Sequence, residues 1–123
     1  MRKLLVVVLA AVASVLFVPS AYAGESSSAC STEGYCAARV VFDDHGEHLY
    51  AYDERADGHG VYVYYERSDA PNAGEFTNRN GAGSVVDHNM SMPEGSTIRY
   101  YVCRIDGNDV KSGSCSGWTH GTA

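Results

Sequence analysis

Histidines and carboxylates crowd one short stretch of the chain, Asp43-Asp44-His45-Gly46-Glu47-His48. Imidazole nitrogens and carboxylate oxygens are ligands for zinc and related divalent ions, so a metal centre is the first chemistry to weigh. Across a turn, however, the side chains of His45 and His48 need not converge, and a solvated hairpin tip has the same composition. No complete ligand motif is present. Asp53-Glu54 with Asp57, and Asp106-Asn108-Asp109, raise calcium in the same way. Neither has the alternating Asp/Asn positions with a distal Glu of the EF-hand loop, and turn-forming residues account for both. The reading is no metal and no cofactor.

Nucleophilic catalysis finds little footing. A Gly-x-Ser-x-Gly elbow is absent. With 5 histidines and many serines and aspartates, a triad can be composed on paper from composition alone, which is no argument for one. A glycosidase needs two carboxylates converging in a cleft, and a small sandwich leaves little room for one. The chain is therefore read as a non-enzyme.

The four cysteines, Cys30, Cys36, Cys103 and Cys115, have five and eleven residues inside their two local pairs. Structural zinc pairs are closer, with roughly two to four intervening residues. Their compartment favours oxidation. Met1-Arg2-Lys3 is a cationic start, Leu4 to Val18 an apolar run broken only by Ser14, and Ala21-Tyr22-Ala23 a small-residue cleavage site after Pro19-Ser20. That pattern reads as a signal peptide over residues 1–23, cleaved before Gly24. The 15-residue run falls short of the roughly 20 that a membrane helix needs. A secreted, extracellular protein with no membrane partner is expected. In that setting four cysteines imply two disulfides in one of three connectivities. Gly34 offers a turn inside Cys30–Cys36, and Asp106-Gly107-Asn108-Asp109 one inside Cys103–Cys115. These two local pairs are the expected ones.

Removing residues 1–23 from the 123 leaves a chain of 100, with 7 basic and 15 acidic side chains. Such an acidic balance excludes the usual phosphate-neutralising route to nucleic acid. A chain this long is one domain, able to bury about two-thirds of its unfolded surface. Gly24 to Ala29 is Ser-rich, and residues 24–35 read as a flexible N-terminal segment. Period-two alternation then marks strands at Cys36–Phe42, His48–Asp53, Val61–Arg67, Ser84–Met90 and Thr97–Ile105. Glu75-Phe76-Thr77 reads as a short edge strand, and Asp109 to Trp118 as a last one. No helical periodicity or internal repeat interrupts them. The fold class expected is all-β: a small antiparallel two-sheet β-sandwich over residues 36–123, Ig-like in architecture only, with a closed barrel as the alternative.

Gly46-Glu47-His48-Leu49-Tyr50-Ala51-Tyr52-Asp53 with Ala56-Asp57-Gly58-His59, Pro93-Glu94-Gly95-Ser96 before Tyr100-Tyr101-Val102-Cys103, and Ser114-Cys115-Ser116-Gly117-Trp118 form a set of turns and strands. Together they resemble small secreted proteins of filamentous actinobacteria. The resemblance implies secretion, a β-sandwich and a Cys103–Cys115 bridge; that group has no established activity, so it implies no site residues. Proteinaceous α-amylase inhibitors are likewise small, secreted, all-β and doubly disulfide-bonded. Their binding motif is Trp-Arg-Tyr, whereas the single tryptophan here lies in Gly117-Trp118-Thr119, so the inhibitor reading stands only as a class.

The tyrosines are the strongest remaining feature. Tyr50, Tyr52, Tyr62 and Tyr64 alternate with Leu49, Ala51, Val61 and Val63. If His48–Asp53 and Val61–Arg67 form a hairpin, the four rings share one face, either the core or an exposed platform. The platform would bind a glycan or an extracellular protein, with polyanions disfavoured by charge. A secreted, monomeric, non-catalytic binding protein is thus the expectation. The alternative is an inhibitor of an extracellular protease or amylase, presenting Ser68 to Gly83 as its loop.

Overall fold

A computed structural model describes residues 24–123; the expected signal peptide lies outside the described residues. Nine strands form among the described residues: β1 Ser27–Cys30, β2 Ala38–Asp43, β3 His48–Asp53, β4 Gly60–Arg67, β5 Gly74–Asn78, β6 Val85–Asn89, β7 Thr97–Asp106, β8 Asp109–Val110 and β9 Thr119–Thr122. They make two antiparallel sheets packed face to face. The first has the order β1-β2-β3-β6; the second runs β5-β4-β7-β8, with β9 also on β7.

Alternation builds the core. Val40 and Phe42 from β2, Leu49 and Ala51 from β3, Val61 and Val63 from β4, and Ile98, Tyr100 and Val102 from β7 all point between the sheets and are buried. At one edge the sheets are tied by reciprocal backbone bonds between Glu25 and Thr122. Tyr100 crosses the interior there, its hydroxyl 2.6 Å from Ser27 Oγ. Gly121 is demanded by packing, because a Cβ would meet Phe42 at 2.3 Å. Away from that edge, the fully buried Asn78 donates to the carbonyls of Ala51 and Ser84, at 3.0 and 3.2 Å. Its side-chain carbonyl accepts from the Asn80 N–H and the Ser84 hydroxyl. A buried amide with every polar atom matched can join two sheets without the cost of an orphaned dipole.

Both expected disulfides are present, Cys30–Cys36 and Cys103–Cys115. The second fastens an irregular stretch along β7. Between β8 and β9 the free side of β7 meets no strand among the described residues. Instead Lys111 N–H donates to Arg104 O and Ser116 N–H to Val102 O, while the hydroxyls of Ser114 and Ser116 accept from Arg104 and Val102 N–H.

Three expectations are corrected. Residues 24–35 are not a free tail: Ser27–Cys30 is a strand paired with Arg39–Phe42, and Ala29 is buried. The expected last strand over Asp109–Trp118 is two residues of β8, a 3₁₀ turn at Ser112–Ser114 and an extended link, with the true terminal strand following at Thr119. Third, β3 and β4 do not form a hairpin. β3 pairs with β2 and β6, while β4 pairs with β5 and β7, so the segment between them crosses from one sheet to the other.

Candidate functional site

That crossing decides where the tyrosines lie. Leu49, Ala51, Val61 and Val63 are core, so all four rings point outward, but on opposite faces of the sandwich. Tyr50 and Tyr52 decorate the first sheet; Tyr62 and Tyr64 decorate the second. No single four-tyrosine platform exists.

The second sheet gathers a different group. Tyr64 stands directly across the ladder from Tyr101, and their rings stack at 5.1 Å. Trp118, carried in by the link before β9, meets both edge-on, at 6.0 Å from Tyr64 and 5.0 Å from Tyr101. It is 43% exposed. The Arg99 guanidinium lies 4.2 Å from the Trp118 ring centre, a cation–π contact. The position of Arg99 is set from its far side, because Nε donates to Glu66 at 2.8 Å. Tyr64 OH donates to the other oxygen of Glu66 at 3.2 Å. Tyr62, beyond Tyr64 on the same strand, donates its hydroxyl to Glu75. Partial burial, then the hydrogen bond and charge of Glu75, push the Tyr62 phenol well above its ordinary range. Tyr64 shifts upward for the same kinds of reason, desolvation first and Glu66 second. Both phenols stay protonated across the physiological range and keep their donors committed.

The first sheet bears a narrower strip along β3. His48 stacks on Tyr50 at 5.3 Å, Tyr52 follows at 6.4 Å, and Arg39 lies 4.2 Å over Tyr52. His48 is held by Asp87 at 2.7 Å, and Arg39 by Glu54 at 3.1 Å. Exposed Val85 borders Tyr52 across the ladder.

The acidic turns resolve separately. Asp43, Asp44 and His45 bring one ligand atom each within 4.8 Å of the others, while His48 turns away to Asp87. Asp43 ends β2 and His45 is exposed on the turn that follows, while the Asp44 side chain is largely covered and accepts from the Ser26 hydroxyl. Asp57 pairs with Arg104 at 2.9 Å and Glu54 with Arg39, so Asp53, Glu54 and Asp57 do not converge. The segment Ser68–Gly83 is not one long loop, because β5 runs through it.

Tyr101 could have been found from sequence, since it shares the outward phase of Thr97–Ile105. Arg99 shares that phase too, but its contact with Trp118 could not be found: nineteen positions separate them, and only the route of the chain after Cys115 brings them together. Comparisons with protein-family models, with curated proteins and with solved structures find no match to this chain.

Proposed function

We propose that this is a non-catalytic binding protein, acting outside the cell as a single chain, whose ligand surface is the outer face of the second sheet. The observation carrying this reading is the cluster of Tyr64, Tyr101 and Trp118. Rings held by stacking, with the Tyr64 hydroxyl committed to Glu66, offer apolar area at little entropic cost on binding. Glu66, Glu75 and Arg99 rim them with polar groups that can meet hydroxyls. Flat rings beside carboxylates suit the C–H faces and hydroxyl edges of a neutral glycan, and the acidic chain disfavours polyanions. Retention on insoluble chitin, cellulose or bacterial cell-wall glycan tests the reading; flow-through on all three contradicts it.

A second reading rests on the same residues. The contiguous Trp-Arg-Tyr of α-amylase inhibitors is absent, yet Trp118, Arg99 and Tyr101 are adjacent in space. An inhibitor using them would block an extracellular α-amylase at stoichiometric concentration. Undiminished amylase activity in excess protein removes this reading without touching the first.

A further inference from the structure

Asp53 occupies a position that strand geometry reserves for an apolar side chain. β3 turns Leu49, Ala51 and Asp53 toward the interior in succession. The first two are core, while the third is a carboxyl in a residue only 3% exposed. A buried carboxylate is costly unless a cation or several donors answer it. Its acidic neighbours are already answered, Glu54 by Arg39 and Asp57 by Arg104. Asp53 has no cationic partner among the described residues, and its side chain accepts one hydrogen bond, from the Arg55 N–H at 3.3 Å. Burial, with repulsion from Asp57 and Glu54 added and the Arg55 N–H opposing, holds this carboxyl above the ordinary carboxylate range.

The same residue lines a cavity of about 540 Å³ among the loops at one end of the sandwich, a size within the roughly 300–1,000 Å³ of small-molecule sites. The cavity is kept open by turns at Gly58, Gly81 and Gly107, whose φ values of +73°, +97° and +59° suit glycine and whose surroundings are empty within 4 Å of a would-be Cβ. Arg55 and Arg79 stand on its wall, with Ile105 and Ala82 supplying apolar surface. Arg79 donates one N–H to Asn108 at 3.1 Å, and Arg55 lies 5.4 Å from the Tyr35 ring centre. Neither guanidinium is paired with a carboxylate among the described residues.

We propose that this cavity binds a small zwitterion, a free amino acid with a short side chain, its ammonium on Asp53 and its carboxylate on Arg55 and Arg79. A single ammonium gives the buried carboxylate its missing cation, and a single carboxylate answers the two guanidiniums. A divalent ion fits less well. Asp57 and Glu54 are turned to arginines, and the one cluster with metal-like spacing among the described residues is elsewhere, at Asp43, Asp44 and His45. A simple anion would meet Asp53 as a like charge. The site is separate from the aromatic face, so it stands or falls without the glycan reading.

NMR titration of the purified protein with glycine, L-alanine and L-serine tests it. Saturable shifts centred on Asp53, Arg55 and Arg79 are expected. N-acetyl-L-alanine and L-alanine methyl ester, each lacking one charge, should bind weaker by about tenfold or more, the scale of one lost charge-assisted hydrogen bond. Asp53→Asn and Arg79→Ala should each weaken L-alanine by a similar factor while the spectrum stays folded. Absence of saturation with all three amino acids overturns the proposal. So does equal affinity for the blocked forms, or calcium chloride alone shifting these residues. Should Asp53→Asn fail to fold, the blocked ligands decide the matter alone.

Discussion

His88 sits where the two sheets part, pointing inward from β6 across the ladder from Leu49. Its ring stacks on Phe76 at 4.7 Å, and Nε2 lies 2.8 Å from the Tyr65 hydroxyl. Desolvation lowers its pKa from the ordinary 6.5; Asp87 opposes that shift and Arg67 adds to it. The unfolded chain therefore binds more protons than the folded one between the lowered folded pKa and about pH 6.5, and stability falls as pH drops through that window. His88→Gln keeps a partner for the Tyr65 hydroxyl and removes the titration. Urea midpoints at pH 7.5 and pH 5 should differ less in this variant than in the parent, and an equal difference would show that His88 is not the group responsible. Nothing near His88 in sequence signals this role, since Phe76 and Tyr65 arrive from the other sheet. The shared phase of the tyrosines, opposite Leu49, Ala51, Val61 and Val63, was legible residue by residue, because alternation needs only immediate neighbours; which of the two phases faces outward was not, and the burial of the aliphatic set decides it. Asp53 breaks that alternation at an inward position, a mark the sequence carries in plain view.

Strands with β-branched and aromatic residues announced themselves: His48–Asp53 is read to the residue and Thr97–Ile105 to within one. β1 did not, since Ser-Ser-Ala-Cys has neither a strong alternation nor strand formers, and it exists because β2 offers a free edge. Pairing was the least legible feature. The turn residues after β3 serve equally for a hairpin or for an arch between sheets, and only packing of Leu49 against the opposite layer selects the arch. The irregular run after β8 hides behind Gly and Ser, and its serine hydroxyls replace ladder bonds. That arrangement gives the Cys103–Cys115 bridge a measurable task. On the chain-entropy account its 13-residue loop is worth about 3 kcal/mol, and the seven-residue Cys30–Cys36 loop about 2 kcal/mol. Replacing each pair by alanine and measuring urea unfolding should place Cys103→Ala/Cys115→Ala as the less stable variant. The reverse order would mean that the 111–118 segment holds its place without the bridge.

At the scale of the whole molecule, the sandwich separates three surfaces: an aromatic cluster on one outer face, a narrower ring strip on the other, and a polar cavity at a loop end. Long-range pairing assembled each of them, and for that reason local sequence reading located the tyrosines but not the cluster they join. The two faces also provide an internal control. Trp118 belongs to the proposed ligand surface, whereas Tyr52 lies on the opposite side of the fold, and both are outside the core. The deciding measurement is the dissociation constant for whichever insoluble glycan retains the parent protein, compared among parent, Trp118→Ala and Tyr52→Ala. A central aromatic anchor is worth roughly tenfold or more in affinity, so Trp118→Ala should weaken binding by about that factor and Tyr52→Ala should leave it within about twofold. Unchanged affinity in Trp118→Ala, or a loss in Tyr52→Ala as large as that in Trp118→Ala, would contradict the assignment of the ligand to the second sheet.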